Sequence, residues 1–368
     1  MIGVERISSF QFCCLIILFE LGTAVMVPLG ADAKQDAWIA VLVGMLGGLL
    51  IFSIYAYLHR HFPRQPLTSY VKQIVGKDIG FVIALLYTLF FIYGAARDLR
   101  DGMELLYPTY DETPLLVIGF IIISLVCYSL YTGLEVLSRV GEVYFMLSLF
   151  LGVLALLCLY FSDVIDQTKV LPLLEKGWKP VLTAAYGQTI MFPFGELICF
   201  TMVLPSLLHP QSGFKIGTIC ILISGTILAV TVFLEISVLG ANKTSTALFP
   251  FLRLMQYINI GDFIQRMDAF VLIGLIVNDF FKVSIFAYAA ILAFTDMFPI
   301  QKHKLAFPIG GIILFMSLAI APNSQSHFAQ GRFALKYIFP PFILYIPLLL
   351  MVIELIRTRL RKREKAKT

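Results

Sequence analysis

Long apolar stretches of membrane-crossing length follow one another along this 368-residue chain. A helix needs about 20 mostly apolar residues to cross the hydrocarbon layer of a bilayer. Segments that meet this requirement lie at approximately 8–30, 37–59, 79–106, 114–132, 142–161, 181–208, 214–240, 267–297, 305–321 and 334–357. With 59% hydrophobic and 14% charged residues, the composition excludes a soluble fold, in which about 25% of residues are charged. We therefore predict an all-α integral membrane protein with about ten transmembrane helices.

The apolar segments leave little chain for a separate soluble domain. A transmembrane β-barrel would show short alternating segments instead of long apolar ones. The sequence also lacks the G-x-x-x-x-G-K-[ST] phosphate-binding loop, so the chain cannot hydrolyse ATP by itself. We predict a single polytopic membrane domain over 1–368. Its pseudo-repeats would lie at approximately 1–162 and 180–357, and a basic cytoplasmic tail at 358–368.

The distribution of Lys and Arg between successive loops predicts the orientation of the chain. If the N-terminus is cytoplasmic, the inner loops and the tail hold most of these residues, as the positive-inside rule requires. Both termini are therefore predicted to be cytoplasmic. We interpret the basic tail as a charge anchor at the membrane surface rather than a nucleic-acid-binding arm. The lipid bilayer is an expected partner, and nucleic acid is not.

Cysteine and histidine show no spacing typical of a metal site or a catalytic group. All six cysteines lie inside apolar stretches, and the five histidines lie at segment ends or in loops. Metal sites need such residues in close pairs or clusters. We therefore expect buried structural cysteines, no metal, no cofactor and no enzymatic activity.

Two apolar segments contain residues that interrupt a helix. The first segment carries Gly22 in its middle and Pro28 beyond it, and the sixth carries Pro193 and Gly195 beside Glu196. Proline removes a backbone donor and glycine permits strained conformations. Unwound backbone inside a membrane has to line a cavity or be buried in protein, because lipid cannot satisfy its polar groups. A simple kink is the alternative interpretation for each segment.

The positions of the two interruptions indicate a binding site. The first and sixth segments begin two five-helix halves, and halves with an odd number of spans are inverted repeats. Interrupted helices at matching positions point to a site at the membrane midplane. The ends of half-helices offer N–H groups to a carboxylate and carbonyl groups to an ammonium group. A small zwitterion such as an amino acid uses both.

Ionisable residues inside the apolar segments are functional candidates because burying charge in a membrane is costly. Glu20 lies within the first segment, and Glu196 lies near the centre of the sixth. Asp279 and Lys282 lie three residues apart in the eighth segment, on one helical face. They could form an internal ion pair, or Lys282 could reach an acid of another segment in a pairing that changes with the functional state. Both interpretations stay open.

The third segment carries charged residues toward its outer end. Arg97 with Asp101, and Arg100 with Glu104, have the i,i+4 spacing of helical ion pairs. Such pairs are typical of a solvated face, here an outer vestibule. Arg97 lies deepest of the group and is a candidate gate residue.

The interrupted sixth segment carries the most specific resemblance to a known family. Its residues are Phe192-Pro193-Phe194-Gly195-Glu196, followed by Phe200-Thr201-Met202 and Pro205, with support from Phe280-Phe281-Lys282-Val283-Ser284 in the eighth segment. On these residues the chain resembles the permease-type B subunits of bacterial endospore germinant receptors. These subunits are a branch of the amino acid–polyamine–organocation transporter superfamily.

The resemblance implies a LeuT-like fold of five-plus-five inverted repeats, with a site formed by spans one, three, six and eight. It implies that the subunit lies in the spore inner membrane and binds a nutrient germinant, typically an amino acid. It also implies two partners, a membrane-spanning A subunit and a lipoprotein C subunit. The implied ligand-binding residues are Gly22, Thr23, Ala24, Val25, Phe194, Gly195 and Glu196, with Lys282 or Ser284 from span eight.

Two departures from the wider transporter superfamily favour a sensor over a transporter. The first segment lacks a dense glycine signature, and the fifth has no lysine that could act as a proton-coupling cation. The alternatives are a proton-coupled amino acid transporter that uses Glu196 or Glu20, and an ion-conducting or structural subunit.

Overall fold

The fold is described here from a computed structural model, which covers the backbone of residues 5–258 and 267–365 and the side chains of 5–258 and 268–360. Over these ranges the chain is almost wholly helical. Its α-helices are α1 (Ser9–Leu21), α2 (Ala37–His61), α3 (Leu67–Val75), α4 (Lys77–Leu106), α5 (Leu115–Thr132), α6 (Leu134–Phe161), α7 (Trp178–Ala184), α8 (Phe200–Val203), α9 (Gly213–Leu239), α10 (Ala241–Thr246), α11 (Pro250–Met255), α12 (Met267–Met297), α13 (Lys302–Ala319), α14 (Ser324–Tyr337) and α15 (Ile346–Lys365).

Membrane-crossing segments account for most of these helices. Among the described residues, nine helical segments are long and apolar enough to cross a membrane, and they correspond to the second to tenth segments expected from the sequence. The first, expected at 8–30, contains a shorter apolar helix, Ser9–Val25. The regular α-helix within it ends at Leu21, and the backbone leaves helical geometry at Gly22. The described part of the chain therefore has nine long apolar segments and a shorter first segment that is broken at Gly22.

The sixth segment is also interrupted. After α7, a π-helical turn covers Ala185–Thr189, and a 3₁₀ helix covers Phe194–Cys199 before α8 begins. Pro193 directly precedes the 3₁₀ helix and has no N–H to donate. The prediction that helices one and six are broken is confirmed.

Glycines of α2 bring the interrupted sixth segment close to the rest of the bundle. A Cβ atom added to Gly44 would lie 2.6 Å from Cβ of Thr189, and one added to Gly47 would lie 2.7 Å from Cγ1 of Ile190. Any side chain at these positions would push α2 away from the sixth segment. Gly44 and Gly47 of α2 therefore serve helix packing, as small residues commonly do in membrane proteins.

Ile7 lies at one end of the bundle. The Ile7 N–H donates to the Ser206 carbonyl at 3.0 Å, and the Leu208 N–H donates to the Ile7 carbonyl at 3.0 Å. The sixth segment, Trp178–Ser206, therefore ends beside Ile7 and begins at the opposite end of the bundle.

The helix α14 begins ahead of the tenth span, which was expected at 334–357, and overlaps its start. Together with a π-helical turn at Pro341–Tyr345 and α15, it forms a segment running from Ser324 to Leu360. It was not expected because its own sequence is polar. In the structure, residues of α14 contact charged side chains of α4, among them His327, which contacts Asp101.

The predicted tail at 358–368 and the loop between spans seven and eight are described in part. α15 continues as a helix to Lys365, through the start of the expected tail at 358–368. The side chains beyond 360 and residues 366–368 lie outside the described part. In the loop between spans seven and eight, α11 is a short helix, and residues 259–266 of the loop lie outside the described ranges.

Candidate functional site

The break in the first segment brings α12 against unwound backbone. Gly22 has φ −20° and ψ −113°, and a 3₁₀ turn at Thr23–Val25 follows it. A Cβ atom on Gly22 would lie 2.8 Å from Cδ of Lys282 and 2.9 Å from the Phe19 carbonyl oxygen. Glycine is therefore required here so that the Lys282 side chain can pass the break.

The ammonium group of Lys282 lies where four segments meet. Its Nζ lies 2.7 Å from Oε2 of Glu196 in the sixth segment and donates to Oγ1 of Thr23 at 3.0 Å. It lies 3.6 Å from Oδ1 of Asp98 on α4, and 4.1 Å from the ring centroid of Phe192. Lys282 therefore pairs with acids of other segments, which was one of the two open interpretations.

Asp98 is the site residue that the sequence did not single out. Oγ1 of Thr23 donates to its Oδ1 at 3.0 Å, and its Oδ2 has no hydrogen-bond partner among the described residues. Glu196 and Asp98 are 3% and 4% exposed, and Lys282 is fully buried. Lys282 thus contacts both carboxyl groups. A buried acid with an unpaired oxygen is a strong acceptor for a ligand ammonium group.

The prediction of a solvated face on the third segment is wrong. Arg100, Asp101 and Glu104 are all buried, and Arg100 pairs with Glu104 through an Nη2–Oε1 distance of 2.7 Å. The spacing of these residues correctly predicted that they share one face of α4. It could not reveal that α14 covers this face.

Polar contacts hold α14 on α4 over three successive turns. Nη2 of Arg97 donates to the His327 carbonyl at 3.1 Å. Nε2 of His327 lies 2.6 Å from Oδ1 of Asp101, and the Ser324 hydroxyl donates to Oε2 of Glu104 at 2.5 Å. The expected Arg97–Asp101 pair is replaced by contacts of both residues with His327. This histidine is fully buried within a helix rather than located in a loop.

A cavity of about 810 Å³ extends from the acids to one end of the bundle. Asp98, Glu196, Arg97 and Phe192 line it, together with residues of the first segment and of α14. Exposed residues such as Lys179 line its mouth. Lys179 lies at the start of the sixth segment, so the cavity opens opposite Ile7. Its volume is that of a typical small-molecule pocket.

Several candidate residues lie behind the cavity. Thr23 reaches the site through its hydroxyl, whereas Ala24, Val25 and Phe194 are buried in the hydrophobic core. Gly195 serves packing, because a Cβ atom there would lie 2.7 Å from Cγ2 of Ile343 and 3.0 Å from the Ile190 carbonyl oxygen.

Three further candidates point elsewhere. The Ser284 hydroxyl lies 3.4 Å from that of Ser129 on α5, so Lys282 is the eighth-segment residue at the site. Glu20 accepts a hydrogen bond from Ser224 on α9 at 3.3 Å and has no cation partner among the described residues. Asp279 is fully buried beside Gly102, and neither of its oxygens has a hydrogen-bond partner in the described structure. An ion pair between Asp279 and Lys282 is not formed.

No metal-binding group stands out in the described part of the chain. Among residues 5–258 and 267–365, no three or more His, Cys, Asp or Glu side chains are arranged to hold an ion. All six cysteines are free thiols. The charged groups that line the cavity are carboxyl, guanidinium and ammonium groups.

Comparison with known proteins shows the family. The family described as Spore germination protein matches residues 6–326. Spore germination protein KB of Bacillus subtilis (strain 168) is 36% identical over 363 residues, which cover 98% of this chain and 97% of that protein. Spore germination protein YndE of the same organism is 25% identical over 365 residues, covering 96% of this chain and 98% of the relative.

Solved transporters share the fold. MhsT in complex with L-phenylalanine superposes with a TM-score of 0.67 at 12% identity, covering 95% of this chain and 89% of that chain. A Na⁺-coupled sialic acid symporter gives a TM-score of 0.68 at 12% identity, covering 93% and 80% of the two chains. The predicted LeuT-like transporter fold is thereby confirmed. The chain belongs to the spore germination protein family and is a multi-pass, permease-like membrane protein with the fold of these transporters.

Proposed function

We propose that this chain is the ligand-sensing, permease-like subunit of an endospore germinant receptor, and that an amino acid germinant binds in the cavity beside Asp98 and Glu196. Binding there would favour one packing of the helices and so trigger germination. The family and the transporter fold support the general role. The arrangement of the buried charges supports the class of ligand.

The observation that carries the proposal is the shortage of positive charge at the inner end of the cavity. Asp98 and Glu196 are buried, and Lys282 is the cation that both acids contact. A ligand ammonium group would supply a second cation and a donor for the unpaired Oδ2 of Asp98. Hydrogen bonds to charged groups contribute about 1.5–3 kcal/mol each. A ligand with a primary ammonium group therefore fits this end of the cavity.

The two helix breaks explain how occupancy could be transmitted. Lys282 contacts Thr23 at the first break and Glu196 at the second, so a ligand that changes these contacts acts on both interrupted segments. A ligand shifts a conformational equilibrium only through different affinities for the two states. Redistribution of the Lys282 contacts between Asp98 and Glu196 would provide such a difference.

We further propose that the subunit lies in the spore inner membrane with both termini cytoplasmic, and that it acts with a membrane-spanning A subunit and a lipoprotein C subunit. The loop charges support this orientation, which would direct the cavity mouth away from the cytoplasm. The proposed ligand-binding groups are those of Asp98, Glu196 and Arg97, with Gly22, Thr23 and Lys282 shaping the site. The pseudo-repeats are proposed at 1–162 and 180–357.

Binding to purified protein tests the proposal. In lipid nanodiscs, we expect at least one of the twenty common L-amino acids to raise the melting temperature of the wild type. We expect Asp98→Asn to abolish that shift, whereas Asp111→Asn, at an exposed loop position, should retain it. The proposal is wrong if no amino acid binds the wild type, or if Asp98→Asn binds with unchanged affinity.

The transporters of the same fold favour one second candidate, a proton-coupled amino acid permease. Proteoliposomes with an imposed proton gradient separate the two functions. A sensor binds the amino acid without accumulating it, whereas accumulation against its concentration gradient would establish transport.

A further inference from the structure

The charged residues that line the cavity are sorted by depth. The acids Asp98, Glu196 and Asp101 are all buried. The exposed bases Lys179, Arg332 and Lys336 lie at the mouth, with one exposed acid, Asp32. Lys282 lies behind the inner acids, against the first break. The cavity is therefore acidic at its inner end and mostly basic at its mouth.

Arg97 is the base closest to the inner acids along the chain, because it directly precedes Asp98 on α4 and lines the same cavity. Its Nη2 is held by the His327 carbonyl at 3.1 Å. Its Nη1 is shielded from solvent and has no hydrogen-bond partner in the described structure. The guanidinium group is thus oriented by one contact and retains an unused donor.

No acid forms an ion pair within 4 Å of Arg97 among the described residues. Asp101, one helical turn away, lies with Oδ1 at 2.6 Å from Nε2 of His327. Asp98 is engaged by Thr23 and Lys282 through Oδ1. Gly331 of α14 allows the guanidinium group to approach, because a Cβ atom there would lie 2.5 Å from Nη2. A partly buried guanidinium group without an acid partner is well suited to a carboxylate.

We propose that Arg97 binds the carboxylate of the germinant, which therefore enters with its ammonium group toward Asp98 and Glu196 and its carboxylate toward the mouth. This inference rests on the proposed function and assigns the ligand class as a zwitterion with a free carboxylate. Arg97 and Asp98 are consecutive residues, so one helix recognises both ends of the ligand. An amine without a carboxylate would lose the Arg97 contact.

The bases at the mouth have a different role in this arrangement. Lys179, Arg332 and Lys336 are exposed, and salt screens exposed charges over about 8–10 Å at physiological ionic strength. They can attract a carboxylate toward the cavity, but the partly buried Arg97 is the base that holds it beside the acids.

Paired ligands test this assignment. The amino acid that most stabilises the wild type and its carboxamide differ only in the charge and acceptor oxygens of the carboxylate. By calorimetry in nanodiscs, we expect the wild type to bind the amino acid roughly 10- to 100-fold more tightly than the carboxamide. Arg97→Gln should reduce this ratio to about one without weakening carboxamide binding. Arg253→Gln, an exposed arginine of α11 outside the cavity, should keep the wild-type ratio.

A second variant covers the case in which Arg97→Gln does not yield folded protein. Arg97→Lys keeps the positive charge but loses the planar pair of donors. Its preference for the amino acid over the carboxamide should therefore be weaker than that of the wild type but still greater than one-fold. A wild-type ratio in either folded Arg97 variant would overturn the carboxylate assignment, and so would equal binding of the two ligands by the wild type. Either result would leave amino acid binding intact. Failure of every amino acid to bind the wild type would instead refute the proposed function.

Discussion

At the residue scale, the shared lysine is the feature on which the site depends. Lys282 contacts acids from two other segments, and its own position depends on the absence of a side chain at Gly22. Removing one member of a buried ion pair leaves an uncompensated charge and costs about 3–5 kcal/mol. The stability of the protein should therefore depend on the balance of these groups.

Lys282→Met should lower the melting temperature of the purified protein strongly, because Asp98 and Glu196 lose their common cation. Adding Glu196→Gln should recover part of the loss, since one of the two uncompensated carboxyl groups is then removed. Melting of the single and double variants in detergent measures both effects, with Lys243→Met at an exposed position of α10 as the control. Equal stability of Lys282→Met and the wild type would contradict this account of the charge balance.

The sequence predicted part of the site because charge inside apolar segments is rare. Glu196 and Lys282 were singled out for this reason, and the structure brings them together. Asp98 was missed because it belongs to a charged stretch that resembled a solvated face. Helical spacing identifies residues on one face of α4, but it contains no information on the segment that covers that face.

At the element scale, α14 connects the cavity wall to α4. Its residues Phe328, Gly331 and Leu335 line the cavity, while Ser324 and His327 contact acids of α4. Glycine and proline marked the two broken helices in the sequence. The polar composition of α14 gave no comparable signal, because its placement depends on tertiary contacts with α4.

His327→Ala should loosen α14 by removing the buried partner of Asp101. Leaving a buried acceptor unsatisfied costs about 1–3 kcal/mol, so amide exchange within 324–337 should accelerate roughly tenfold or more. Hydrogen–deuterium exchange with mass spectrometry measures this directly. His61→Ala, at an exposed position at the end of α2, should leave α14 protected. Unchanged exchange in the His327 variant would show that its contact with Asp101 does not hold α14.

At the scale of the whole molecule, the lengths of the apolar segments and two interruptions were enough to predict the helical spans and the two breaks. The LeuT-like fold was predicted from the family resemblance. The depth of the cavity could not be predicted, and neither could the arrangement of acids at its inner end and bases at its mouth. Both depend on how segments that are distant in the sequence come together. The central claim concerns this convergence, namely that the acids at the inner end of the cavity receive the ammonium group of the germinant.

A structure of the amino-acid complex in nanodiscs tests this claim most directly. The account predicts the ligand nitrogen within hydrogen-bonding distance, about 3 Å, of Asp98 and beside Glu196, with its carboxylate directed toward Arg97. A ligand bound outside this cavity, or one with its carboxylate directed at Asp98, would contradict it.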